Sequence, residues 1–230
     1  MLSVVVLLGL GCQPQDAAKL EQNTAGTAGN PSTRSAGGAD SAIISRHATV
    51  LIIGTSLTAG YGLDNPDDAY PQVIQRTADS AGYSIRIINA GLSGETSAGA
   101  LRRVDWLLRD RADVVVIETG ANDGLRGLDV DSTRANLRNI VAKVRAALPR
   151  AKIALIQMEA PPNLGPQYTA RFRENFAIVA QAESVTLFGF LLNGVAGATS
   201  LNQPDGIHPN PLGARRVAAN VWRELLPLVR

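Results

Sequence analysis

This chain of 230 residues has one cysteine, Cys12. No intrachain disulfide can form, and no cysteine-based metal site can be assembled. Charge of one sign is also lacking: 22 Lys and Arg against 20 Asp and Glu leave a net charge of +2. That is too small for a nucleic-acid footprint. The basic residues are scattered, and the pairs Arg102-Arg103 and Arg215-Arg216 read as solvated helix faces. No apolar stretch reaches the roughly 18–20 residues that a membrane-spanning helix requires. Histidine is nearly absent, with His47 and His208 alone. What remains is ordinary for a globular protein: 45% hydrophobic and 18% charged residues, with enough length for one full core.

The first 46 residues read as separate from the fold. Residues 2–10 are almost wholly apolar, Gly11 and Cys12 follow, and the chain turns polar at Gln13-Pro14-Gln15. The pattern of residues 1–12 is that of an export signal ending at a small residue. With Cys12 next in line it resembles a bacterial lipoprotein signal, in which that cysteine is lipidated and becomes the mature N-terminus. Two departures are a missing Lys or Arg ahead of the apolar run, and Gly9 where a larger aliphatic residue is usual. Residues 13–46 are rich in Ala, Gly, Ser, Thr, Asn and Gln and show no periodicity. Such a segment buries too little apolar surface to offset its ordering entropy and is expected to act as a flexible linker. An exported protein held at the membrane of the bacterial envelope by a lipid anchor is the expectation; a soluble secreted or periplasmic protein is the alternative.

From residue 47 to residue 230 the pattern is that of one domain. Short β-branched runs (Val50-Leu51-Ile52-Ile53, Val114-Val115-Val116-Ile117, Ile153-Ala154-Leu155-Ile156, with another around residues 84–88) alternate with stretches of helical spacing. Leu101, Val104, Leu107 and Leu108 mark one helix, Leu137, Ile140, Val141 and Val144 a second, and Phe172, Phe176, Val179 and Ala180 a third. A helix is also expected around residues 70–81, and a last one from Pro211 through Val217, Val221 and Leu225. Continuous apolar strands between amphipathic helices predict an α/β fold, a parallel sheet covered on both faces. In such sheets ligands bind beyond the carboxyl ends of the strands. Three strand ends run into polar, glycine-rich segments: 54–62, 89–97 and 118–124.

His208 is the candidate base, because imidazole is the usual acid–base catalyst near neutral pH. Asp205 lies three positions upstream, so one turn of chain can set its carboxylate against one ring nitrogen and leave the other free. That is the base-and-orienter half of a Ser-His-Asp hydrolase. Ser56, just beyond the first strand, is the candidate nucleophile. Taken singly, each has a plainer reading: Ser56 as a helix cap, Asn122 as a turn residue, Asp205 as a surface charge. The P-loop and G-x-G-x-x-G spacings are absent at the first turn, and Thr58 breaks the G-x-S-x-G elbow.

Gly54-Thr55-Ser56-Leu57, Gly94, Gly120-Ala121-Asn122-Asp123 and Asp205-Gly206-Ile207-His208-Pro209, in that order, resemble the SGNH hydrolases, or GDSL esterases and lipases. The likeness spans residues 48–228 and is closest to the bacterial arylesterase and acyl-CoA thioesterase/lysophospholipase branch. It implies a three-layer α/β/α, flavodoxin-like fold with about five parallel strands. It also implies a catalytic set of Ser56, Asp205 and His208, and an oxyanion hole from the N–H groups of Ser56 and Gly94 and the amide of Asn122. No metal or other cofactor is needed for that chemistry, and no obligate protein partner is implied. The substrate is expected to be a small acyl ester or thioester. Leu63, Leu125, Pro162, Leu164 and Ile207 are candidates for an apolar groove. Polysaccharide O-deacetylation and a catalytically silent cell-surface binding module are the alternatives. Thr55 stands where the family has the aspartate of its name; because the rest of the turn matches, Thr55→Asp is expected to hold or raise activity.

Overall fold

The computed structural model describes residues 47–230; the expected signal, the expected linker and Cys12 lie outside the described residues. Five strands form one parallel sheet. They are β1 (Ala48–Gly54), β2 (Ile85–Gly91), β3 (Val114–Ile117), β4 (Lys152–Ile156) and β5 (Thr186–Phe188), in the spatial order β2-β1-β3-β4-β5. The register pairs Val50 with both Ile87 and Val114, and Gly54 with Gly91. The helices are α1 (Ser56–Ala59), α2 (Tyr70–Ser80), α3 (Ser97–Leu107), α4 (Ala121–Leu125), α5 (Val130–Ala147), α6 (Pro166–Ala182) and α7 (Pro211–Val229).

From β1 the chain steps one way to β2, then crosses back to β3 and continues through β4 to β5. Right-handed crossovers therefore send the helices of the first step to one face and those of the later steps to the other. The packing follows: α2 lies with α7, whereas α5 lies between α3 and α6. Both sheet faces are covered, which is why Val50, Ile52, Ile53, Val115, Val116, Leu155 and Ile156 are all fully buried. The helical stripes face inward as their spacing predicts, with Val104, Leu137, Ile140, Val144, Phe172, Phe176 and Val217 buried. Leu101 and Leu107 are only partly covered.

Two details differ from the sequence reading. Asn89, Ala90 and Gly91 belong to β2, paired with Ile52, Ile53 and Gly54. They read as loop because they are polar or small. On this edge strand Asn89 instead turns its amide to the Thr58 carbonyl at 2.8 Å and accepts the Gly91 N–H. The second detail is β5, three residues long and too short to carry a periodicity. The switch in strand order falls between β1 and β3, and that is where the polar segments converge.

Candidate active site

The chain leaves β1 through Gly54 and Thr55 and enters α1 with Ser56 as its first residue. Gly54 is required for close packing, since a Cβ there would stand 1.9 Å from Thr58 Oγ1. Thr55 occupies the N-cap position, yet its side chain makes no cap bond. It turns inward to Glu118. The one-turn helix ends at Gly60 in the left-handed conformation, φ 74°. This geometry lifts the Ser56 side chain to the sheet edge while Thr55 and Thr58 go down into the core, both fully buried.

The second segment places Gly94 in a turn with φ 76°, a conformation that favours glycine. Behind it Glu95 is buried and makes a bidentate ion pair with Arg103 from α3 at 2.7–2.9 Å. The same guanidinium donates to the carbonyls of Gly54 and Ala90. One arginine thus ties the ends of β1 and β2 to the glycine turn. Arg103 is therefore not part of a solvated face, as the pair Arg102-Arg103 suggested; its outward neighbour Arg102 is exposed. Arg126 also donates to the Gly94 carbonyl at 2.9 Å.

The third segment carries Asn122 at the start of α4, whose amide donates to the Glu95 carbonyl at 3.0 Å. An amide nitrogen has two hydrogens, so a second donor remains. Neither the Ser56 nor the Gly94 N–H has a hydrogen-bond partner among the described residues. Asp123 is buried and accepts from the Ser97 N–H and hydroxyl, which fixes α4 to the start of α3.

The last segment is a loop stapled to itself. Asp205 Oδ1 accepts the N–H groups of Ile207 and His208 at 2.9 and 3.0 Å. Its Oδ2 lies 2.6 Å from His208 Nδ1, and His208 Nε2 lies 2.9 Å from Ser56 Oγ. Hydrogen bonds from the His208 backbone and ring, and from the Ile207 backbone, hold the Asp205 carboxyl down at about 2. The carboxylate is then charged throughout the range around neutral pH. Tyr61 leans on the imidazole, with ring centroids 4.7 Å apart. Gln203 joins the two sides of the site, donating to the carbonyls of Tyr61 and Pro209.

Ser56, His208 and Asp205 are thus in contact as a chain of three, and Gly94 and Asn122 reach the same edge through the Glu95 backbone. Of the apolar candidates, Leu63 lines a small cavity with Ser56, Tyr61 and His208, with room for about one water-sized sphere, ~10 Å³. Leu125 and Ile207 are exposed, and Pro162 lines a separate depression with Glu159 and Pro166. Sequence reasoning passed over Glu95, Arg103, Gln203 and Glu118. Glu118 and Gln203 have partners far along the chain or on backbone atoms, Glu95 and Arg103 meet across the turn into α3, and only a charged residue beside an apolar strand end hinted at Glu118.

Residues 52–216 match the GDSL-like Lipase/Acylhydrolase family. The chain is 41% identical to Esterase TesA of Pseudomonas aeruginosa over 182 residues, covering 79% of this chain and 89% of that protein. It is 35% identical to Thioesterase 1/protease 1/lysophospholipase L1 of Escherichia coli, covering 79% and 85%. The solved psychrotrophic esterase EstA from Pseudoalteromonas sp., inhibited by monoethylphosphonate, superposes with a TM-score of 0.74 at 37% identity, covering 78% of this chain and 97% of that one. These likenesses run through all four segments and the sheet that carries them, and they place the chain in the GDSL-like lipase and acylhydrolase family, among its carboxylic ester hydrolases.

Proposed function

We propose that the chain cleaves small acyl esters and thioesters through an acyl-enzyme on Ser56. One observation carries the reading: His208 stands between a carboxylate and a hydroxyl, at 2.6 and 2.9 Å. In this reading Ser56 Oγ attacks the carbonyl carbon as His208 Nε2 takes its proton. Asp205 keeps the imidazole in the tautomer with hydrogen on Nδ1 and stabilises the cation that forms. The tetrahedral oxygen is met by the N–H groups of Ser56 and Gly94 and the free amide hydrogen of Asn122, donors fixed before the charge develops. His208 then gives the proton to the leaving alcohol or thiol. Water, activated by the same imidazole, releases the acid.

The cavity beside Ser56 has room for about one water-sized sphere. Longer acyl chains would lie across the exposed Tyr61, Leu125 and Ile207, so short chains are favoured. A p-nitrophenyl ester series from acetyl upward, with matching thioesters, tests both points. Turnover that is greatest for short chains and absent in Ser56→Ala is expected; no turnover of any ester would mean a silent binding module.

The proposal extends to location: export, with a lipid anchor on Cys12. It rests on the apolar run at residues 2–10 and the small Gly11 before the cysteine. Stable anchoring needs more than one acyl chain, because a single one binds reversibly. Mass spectrometry of the mature N-terminus decides it, an unmodified cysteine or cleavage elsewhere making this a soluble exported esterase.

A further inference from the structure

Beneath the nucleophile lies a second carboxylate that the hydrolytic cycle does not use. Glu118 follows β3 and is fully buried. Its Oε2 accepts the Thr55 N–H at 2.7 Å and the Thr58 hydroxyl at 2.8 Å, and its Oε1 accepts the Thr55 hydroxyl at 2.9 Å. Tyr70 of α2 stands 2.8 Å from the Thr58 hydroxyl. With Thr58 donating to Glu118, its oxygen is free to accept from Tyr70, so the hydrogen bonds run in one direction into the carboxylate.

We propose that Glu118 is a positioning residue for Ser56, gripping the chain just before and just after the nucleophile and so fixing the rotation of α1 that aims Ser56 Oγ at His208. Thr55 and Thr58 flank Ser56 on both sides, and a one-turn helix has no internal ladder long enough to hold its own orientation. Three donors on one buried group replace that missing rigidity. Thr55, in the position of the family aspartate, serves here as a donor. Burial raises the Glu118 carboxyl to about 7 against these hydrogen bonds, which lower it. The group is therefore ionised, and accepts all three bonds, on the alkaline side of neutrality.

The inference rests on the serine-hydrolase reading, and its test is kept separate from that reading. A phosphonate titrates the competent Ser56 sites in wild type, Glu118→Gln, Glu118→Leu, Thr58→Val and Thr55→Val, and kcat per titrated site is measured on a short p-nitrophenyl ester at pH 8. Misplacing a reacting atom by about 1 Å costs on the order of a hundredfold, so Glu118→Leu should lose about that much in kcat and Thr58→Val about tenfold, with little change in KM. Glu118→Gln should recover most of the rate, because its amide oxygen accepts from the Thr55 N–H and the Thr58 hydroxyl while its NH2 donates to Thr55 Oγ1. A purely architectural Glu118 would lower the number of titrated sites and leave kcat per site unchanged, and that result overturns the proposal. If Glu118→Leu does not fold, the isosteric Thr58→Val decides alone. An inactive wild type would instead remove the hydrolase reading itself.

Discussion

The two halves of the site are held in opposite ways. Around Ser56 every support is buried: Thr55, Thr58 and Glu118 have no exposed surface, and their partners come from three different elements. Around His208 the charged support is local and open, a carboxylate three residues away with 38% of its side chain exposed, and Tyr61 leaning on the ring is exposed too. The two carboxyls shift accordingly. Burial drives Glu118 up to about 7, whereas hydrogen bonds hold Asp205 down at about 2. The nucleophile is therefore placed by the core, and the base by a short loop that folds on itself. A loop of this kind can be adjusted without cost to the sheet, whereas the serine turn cannot move without disturbing the core.

The sharpest way to break this comparison is to remove each half. Ser56→Ala and His208→Ala should each cut ester hydrolysis by several orders of magnitude, and the double variant should be little worse than either. Additive losses, measured as kcat/KM, would mean that the halves do not work as a unit.

Next in size, Asp205→Asn should lower kcat by about two to four orders by favouring the wrong imidazole tautomer. The Tm should fall only modestly near neutral pH, since the carboxylate is 38% exposed and solvent screens much of what it contributes. A large drop in Tm would show that the open loop is part of the structural core after all. The stability that Asp205 does contribute is present above its ordinary value of 3.8 and fades only as pH falls toward about 2.

Glu118 has the opposite sign. From 4.5 up to about 7 the folded protein keeps a proton that the unfolded chain releases, so stability falls as pH rises through that window. Glu118→Gln removes the titration. Its Tm relative to wild type should therefore climb between pH 5 and pH 8, and parallel curves would contradict a buried titrating carboxyl.

The smallest effect concerns Thr55. From sequence, Thr55→Asp is expected to hold or raise activity. The geometry sets a different expectation, because Glu118 accepts from Thr55 and an aspartate would bring a second carboxylate to the same buried place. Two such groups must share a proton, so Thr55→Asp should match wild type only while that proton is retained and lose Tm more steeply above neutrality. Thr55→Asn, nearly isosteric and still a donor, should not. Equal Tm–pH slopes for the two variants would return the advantage to the first expectation.

Much of the fold was legible because burial on both faces leaves its mark in consecutive residues. Val50 to Ile53 and Val114 to Ile117 are strands buried on both faces of the sheet, and such runs announce themselves. The helical stripes through Leu137 and Phe172 did the same. β5 was hidden by its brevity, and the end of β2 by an asparagine whose amide donates to Thr58 of α1 and Gln72 of α2. Ser56, Asp205, His208, Gly94 and Asn122 were legible as segments in order, and the structure brings the first three into direct contact.

The sequence by itself determined the chemistry on offer: two histidines, one of them three residues from an aspartate, and a serine after the first apolar run. It determined the layering too, since apolar periodicity is a property of neighbours along the chain. Only the tertiary structure decided what Thr55, Thr58 and Arg103 do. Thr55 and Thr58 reach Glu118 across 63 and 60 residues, and Arg103 reaches the Gly54 carbonyl across 49 in addition to its nearby Glu95; a hydrogen bond across such distances depends on which strands lie side by side. Local pattern carries no trace of that adjacency. The Glu118 carboxylate under the serine exists as a support only once β1 and β3 are neighbours in the sheet.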